Sequence, residues 1–353
     1  MFPVKYHPVP PSDIEGERLA TTQPLPVKPP AFARQRFTEE MVTRRTPEVH
    51  RLMLERYKQI ERTGGQFQPP SANGTILFPG YDGGGEWGGA AFDPGTGLLD
   101  VNANEMPWIM RIVPRGETSG KVSGRLLYRR SCAGCHRDDL GGSPPEFPNL
   151  IGIGKKLTKA QTLEIVRKGS GRMPGFAHLG DAVTESIAAY VTSGTEMAVE
   201  AQPDKSPFKL KFAFDGYNKF LDPDGYPAIE PPWGTLSAID LDKAEIRWQI
   251  PLGEFPELVA KGMTNTGSEN YGGPVVTAGG LVFIGATNHD RKFHVFDKLT
   301  GKLLWETLLP AAGNATPAVY EWQGRQFVVV ACGGGKSGAP SGGKYVAFAL
   351  PAR

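Results

Sequence analysis

Two stretches of the chain repeat one another 57 residues apart: Ala238-Ile239-Asp240-Leu241-x-x-Ala244-x-x-x-Trp248 and Val295-Phe296-Asp297-Lys298-x-x-Gly301-x-x-x-Trp305. In each, an apolar pair runs into an aspartate, a turn follows, and a second strand closes on a tryptophan eight residues after that aspartate. A tryptophan-closed hairpin recurring at a period of about 40–60 residues indicates β-propeller blades, because one such unit must stack on a neighbour to bury its apolar face.

The rest of the chain is punctuated accordingly. Gly 45 and Pro 32 among 353 residues exceed average usage and suit tight turns between short strands. Residues 75–80, 88–93 and 97–102 read as such strands, and they resume after about residue 205. Residues 1–37 are proline-rich without a sustained period and read as an extended arm along the surface. Thr46-Pro47-Glu48 starts a helix, with Val49, Leu52, Met53, Tyr57 and Ile60 on its apolar face and Gly64-Gly65 as its stop. Cys332 reads as a small buried strand residue, Trp248 and Trp305 as packing between blades, and His289 and His294 as surface or strand residues.

Residues 119–200 break the β pattern and read as short helices. Gly124-Arg125-Leu126-Leu127-Tyr128 leads into Ser131-Cys132-Ala133-Gly134-Cys135-His136. Thr158-x-x-Gln161 is a capping-box start with Gly169 as its stop, and a last helix around 184–192 ends at Gly194. Two cysteines flanking two small residues, with a histidine next, have the spacing at which a chain takes up one haem through two thioethers and offers an imidazole to its iron. Zinc binding and a redox disulfide are the alternatives for a Cys-x-x-Cys pair. Thirty-seven residues after His136 comes Met173, followed by Pro174 in a glycine-rich loop. A soft, neutral thioether there as sixth iron ligand favours reduced iron and electron transfer; the alternative is a core methionine.

The net charge is +2 with 22 % charged residues, which argues against a nucleic-acid-binding stripe. No apolar run of about 18 residues predicts a membrane span. Met1 to Pro8 lacks the apolar core of a signal peptide, so a periplasmic location, which haem attachment would require, leaves the leader to be found outside this sequence.

Residues 119–200 resemble a class I cytochrome c domain. The resemblance implies that Cys132 and Cys135 carry haem c, that His136 and Met173 ligate its iron, and that the terminal helices cross. Six-coordinate iron has no open position, so such a domain carries electrons.

The flanking β regions resemble the quinoprotein dehydrogenases, nearest to the glucose dehydrogenase type that uses pyrroloquinoline quinone (PQQ). The likeness is carried by Gly84-Gly85-Glu86-Trp87-Gly88-Gly89, Pro232-Trp233-Gly234, Gly279 to Thr287, Leu309 to Pro317, and Gly333-Gly334-Gly335-Lys336-Ser337. It implies a mainly β fold: part of an eight-bladed propeller, about three to four blades, interrupted by a small all-α cytochrome c domain. The expected division is 1–118 (arm, helix and propeller part), 119–200 (cytochrome c) and 201–353 (C-terminal blades). Carried over by position, Trp87, Asn102, Glu86, Asp290 and the Gly334-Gly335-Lys336 loop fall near the quinone. From the residues alone, Trp87 could pack a blade, Asn102 occupy a turn, and Lys336 be a solvated loop lysine.

The departures from the family are informative. Gly335 stands where the glucose dehydrogenase type has a histidine, which leaves sugar specificity open. The family's catalytic aspartate, quinone-contacting lysine and most calcium ligands precede the region this chain matches. No catalytic residue is therefore assigned here, and the chain is expected to be a C-terminal portion or split-gene product, with a separate polypeptide as possible source of the N-terminal blades. The function implied is the electron-transferring part of a periplasmic PQQ-dependent alcohol or sugar dehydrogenase that contains Ca2+ when intact. Electrons would pass from quinone to haem and on to a downstream cytochrome or oxidase. The competing reading is a stand-alone c-type cytochrome whose β region is a non-catalytic docking scaffold.

Overall fold

The two repeated hairpins form one side each of two four-stranded antiparallel sheets in a computed structural model. It describes residues 3–63, 65–114, 121–137, 139–142, 144, 147–200, 211–335 and 339–350. The first sheet runs Glu245–Pro251, Gly234–Asp240, Leu98–Asn104, Ala91–Asp93; the second runs Val275–Val276, Leu281–Ile284, Lys292–Asp297, Leu303–Leu308. A third has three strands, Ala318–Trp322, Arg325–Gly334 and Ser341–Phe348. These up-and-down sheets stack as propeller blades do. Leu236, Leu252, Val282, Ile284 and Phe296 fill one layer, and Phe283, Phe293, Leu309, Val328 and Val330 the next.

The repeat exists for physical reasons. Each aspartate is the acceptor that closes its turn: Asp240 Oδ1 takes Lys243 N–H at 2.9 Å, and Asp297 Oδ1 takes Leu299 and Thr300 N–H at 3.0 and 2.9 Å. Asp93 does the same with Gly95 N–H at 3.1 Å, a third copy without the tryptophan. Each tryptophan contacts the next sheet. The Trp248 indole donates to Lys298 O at 3.0 Å, and Trp305 meets Phe348 edge-on at 5.5 Å. Gly301 is needed beside Trp248, since a Cβ would lie 2.7 Å from the ring.

These strands belong to one of two compact units, Met1–Pro69, Thr75–Ile109 and Lys219–Arg353. Within it, Thr46 Oγ1 caps the Pro47–Lys58 helix by accepting Val49 N–H at 3.1 Å. Val49, Met53 and Tyr57 are buried in a cluster with Phe37, Phe220 and Trp233. The helix ends at Lys58, not at Gly64-Gly65. Ile60 N–H turns back to Tyr57 O, and the chain then straightens so that Arg62 O can accept Ile76 N–H at 2.9 Å. The proline-rich start is a ribbon, Val4–Pro8 paired with Thr22–Pro26. Its continuation is anchored by Arg34, which ion-pairs with buried Glu105 at 2.9 Å. Cys332 is a buried strand residue.

The second unit, Pro70–Gly74 and Met110–Asn218, is the helical block. Two short ladders join the incoming and outgoing chain: Ile112–Pro114 with Phe212–Phe214, and Lys121–Val122 with Val199–Glu200. Four helices follow from the second ladder: Gly124–Ser131, Ala133–His136, Lys159–Lys168 and Asp181–Ser193. The capping box at Thr158 and Gln161 is formed, and Gly169 (φ 81°) and Gly194 (φ 68°) terminate their helices.

Candidate functional site

In the helical unit, Ser123 caps the first helix, which crosses the last at Gly124. A Cβ there would lie 2.7 Å from Ser186 O and 3.0 Å from Tyr190 Cβ. Tyr128 and Tyr190 meet at 5.5 Å across the same crossing. The first helix delivers Cys132 directly into the single-turn helix Ala133–His136, which Arg137, at φ 63°, ends. Tyr128 Oη donates to Arg137 O at 2.7 Å and fixes that reversal.

The turn sets Cys132, Cys135 and His136 in one element with distinct surroundings. Cys132 is buried and Cys135 exposed, and no disulfide joins them. Burial pushes the Cys132 thiol up to about 12, the opposite direction from the lowered thiol of a redox Cys-x-x-Cys pair. His136 Nδ1 lies 3.0 Å from Pro148 O. With Nδ1–H donating to that carbonyl, Nε2 carries the lone pair and is left for a metal. Among the described residues, no three His, Cys, Asp or Glu side chains gather as a metal site.

Met173 sits in a loop fastened to the end of the Lys159–Lys168 helix. Ser170 and Met173 exchange backbone hydrogen bonds at 3.0 and 2.9 Å, and Phe176 N–H returns to Val166 O at 2.9 Å. Glycine is required on both sides, since a Cβ on Gly169 would lie 2.4 Å from Met173 O, and one on Gly175 2.6 Å from Arg167 O. Around the buried Leu127, Tyr128, Val166 and Ile187, several apolar side chains (Leu140, Leu150, Phe176, Leu179) are only partly covered. A free Nε2, a buried and an exposed cysteine, and uncovered apolar groups fit a haem.

In the β unit, Leu98–Asn104 turns Asp100, Asn102 and Asn104 to one face, all buried. Asn102 is thus a mid-strand residue and not a turn residue. Its Nδ2 donates to Asn270 Oδ1 at 2.7 Å and Gly272 O at 3.2 Å, while its buried Oδ1 has no partner. Asn104 Nδ2 donates to Glu86 Oε1 and to Asn270 O. Trp87, beside Glu86, is 73 % exposed and packs into no blade among the described residues. Glu86, Trp87 and Asn102 are therefore linked through Asn104 and Asn270, two residues the sequence did not single out. A polar residue at every second position from Asp100 to Asn104 was the available signal.

Asp290 accepts from Thr287 Oγ1, Lys292 N–H and Glu254 N–H, and so holds its own turn. Lys336 lies outside the described residues; before it, Gly334 and Gly335 adopt φ of 63° and 83°. His289 lies tilted against Phe255, ring centroids 4.1 Å apart, and His294 is a buried strand residue. An unpartnered amide oxygen on Asn102 and an exposed indole on a fastened loop are a partial fit to a flat polar cofactor such as PQQ.

Comparison with known proteins agrees with both halves. Residues 1–131 and 170–328 match the β-propeller domain of the PQQ glucose/ethanol/alcohol dehydrogenases, and residues 121–191 match the cytochrome c oxidase, cbb3-type, subunit III family. The quinoprotein glucose dehydrogenase of Escherichia coli (strain K12) is 31 % identical over 297 residues, covering 82 % of this chain and 28 % of that protein. The glycerol dehydrogenase large subunit of Gluconobacter thailandicus is 29 % identical over 360 residues, covering 99 % and 40 %. This chain thus spans well under half the length of either relative. Among solved structures, the quinohemoprotein alcohol dehydrogenase from Comamonas testosteroni overlaps 77 % of the chain and 25 % of its own length, at 17 % identity and a TM-score of 0.37. The chain belongs to the PQQ-dependent glucose/ethanol/alcohol dehydrogenase β-propeller family.

Proposed function

We propose that this chain is the electron-transferring part of a periplasmic PQQ-dependent dehydrogenase acting on small alcohols or sugars, with residues 119–200 as its cytochrome c domain. The observation that supports the reading is that the propeller match is interrupted at residues 132–169, inside the stretch 121–191 that matches a cytochrome family. When bound, PQQ accepts two electrons from the substrate carbon and haem c passes electrons singly. Cys132 and Cys135 would hold the haem through thioethers. His136 would offer Nε2, kept in that tautomer by Pro148 O, and Met173 would supply a thioether from its pinned loop. In the β unit, Trp87 would present its face to the quinone ring, with Glu86 and Asn102 in the polar surround. Asp290 and the Gly334-Gly335-Lys336 loop would complete the vicinity, and Ca2+ would belong to the intact site. No helix among the described residues is long and apolar enough to cross a membrane. A downstream cytochrome or oxidase would take the electrons.

The test is haem reduction by the purified, haem-loaded chain given PQQ, Ca2+ and a panel of alcohols and sugars. A supporting result is substrate- and quinone-dependent appearance of ferrous haem c. Haem that takes up electrons from an artificial donor, yet never from quinone and substrate, even beside extracts supplying further propeller sequence, would favour the stand-alone carrier.

A further inference from the structure

The loop Gly84 to Gly89 carries an exposed indole and is nonetheless fastened along its length. Gly84 O accepts Asn104 N–H at 2.7 Å, and Glu86 accepts from Asn104 Nδ2. Gly88 lies so close to the next loop that a Cβ would sit 2.0 Å from Gly272 C, and Thr316 Oγ1 donates to Gly88 O at 3.0 Å. Two of these attachments are made by Asn104, which is bonded in turn to the fully buried Asn270, and Gly272 follows Asn270 by two residues.

All four polar groups of Asn270 are used. Its N–H donates to Asn104 Oδ1 at 2.8 Å, and its carbonyl accepts from Asn104 Nδ2 at 3.0 Å. Its Oδ1 accepts from Asn102 Nδ2 at 2.7 Å, and its Nδ2 donates to Ala103 O and Ser268 O at 3.0 and 3.2 Å. A buried amide with all its groups satisfied, as Asn270 is, is held rigidly, because each lost bond leaves another group unpaired in a dry interior. Asn270 is itself braced against the second sheet, where Tyr271 N–H donates to Ala286 O at 2.8 Å.

We propose that Asn270 is a positioning residue: through Asn104 and Glu86, and by setting Gly272 against Gly88, it holds the Trp87 indole outward as a preorganised face for the quinone. The inference rests on the reading of Trp87 as that face. A tryptophan on a loose loop would have to be ordered at each binding event, whereas an anchored one has that cost removed in advance. Asn270 does not touch the ligand; it acts through the loop.

The experiment compares the full chain with Asn270→Ala, Glu86→Leu and Trp87→Ala, reading two quantities. Hydrogen exchange of the 84–89 segment is measured without quinone, and PQQ affinity by equilibrium dialysis. Asn270→Ala should raise exchange at 84–89 by about tenfold or more, with the 303–308 strand unchanged as a fold control, and weaken PQQ binding by a similar factor. If Asn270→Ala does not fold, Asn270→Ser, which shortens the side chain and gives up its bonds to Asn102 and Ala103, takes its place; Glu86→Leu, which leaves the asparagine network intact, should loosen the same segment. Unchanged exchange at 84–89 in the folded variants overturns the assignment of Asn270. Wild-type PQQ affinity in Trp87→Ala, with exchange altered as expected in the other two, instead overturns the reading of Trp87 and leaves the anchoring established.

Discussion

Asp100 should make the β unit lose stability as pH rises from 4 to 7, and replacing it by asparagine should abolish that loss. The carboxyl lies within the Leu98–Asn104 strand, is fully buried, and neither oxygen has a hydrogen-bond partner. Burial raises its pKa from 3.8 to about 7, and Asp93 on the neighbouring strand adds to the rise, while Lys298 opposes it. In the unfolded chain the group ionises near 3.8; in the folded chain it stays protonated to about 7. Across that window the folded state holds the extra proton, so each pH unit costs it about 1.4 kcal/mol, reaching about 4 kcal/mol above pH 7. Asparagine has nearly the same shape and no charge. Urea unfolding of wild type and Asp100→Asn, followed by tryptophan fluorescence from pH 4 to 8, isolates this group, because every other titration is common to both proteins. The stability difference should move in favour of Asp100→Asn by about 4 kcal/mol between pH 4 and pH 8, then level off. A difference independent of pH would refute the reasoning and mean that the carboxylate is solvated or paired when folded.

Other expectations follow from single contacts. Gly124→Val should destabilise the helical unit by about 1–3 kcal/mol, read from its thermal midpoint, since the added carbons meet Ser186 O and Tyr190 Cβ at the helix crossing. Arg34→Met should destabilise the β unit by about 3–5 kcal/mol in urea unfolding, because it strands the nearly buried Glu105 carboxylate. Glu105→Gln combined with Arg34→Met should recover most of that loss. Met173→Ala in the haem-loaded chain should lower the midpoint potential in a spectroelectrochemical titration, as loss of a soft neutral ligand disfavours ferrous iron.

Much of the fold was legible in local chemistry. The Thr46 cap, the Thr158–Gln161 capping box and the glycine stops at 169 and 194 are all formed as their residues require. Propeller sheets followed from the Asp-to-Trp repeat because both residues act in it, one closing a turn and the other reaching the next sheet. Less was legible where burial and hydrogen bonding part company. Ile60 is buried at helical spacing, so the helix was read too long, although the backbone has already turned. Prolines hid the Val4–Pro8 ribbon, which tolerates them because it has only two strands. That Cys132, Cys135 and His136 lie together was readable because their spacing is local: they share one helical turn. The Asn270 cluster was not, because its partners lie 166 and 168 residues away and only folding brings them together.

Whether residues 119–200 hold a covalent, six-coordinate haem for electron transfer is measured most directly by spectroscopy of the chain produced with c-type haem maturation. A pyridine haemochrome of the two-thioether type, lost in Cys132→Ala/Cys135→Ala, is expected, with a ferric spectrum carrying the sulfur-to-iron charge-transfer band, lost in Met173→Ala. Haem that washes out of the wild-type chain, or a ferric spectrum with an open coordination position, would contradict that reading.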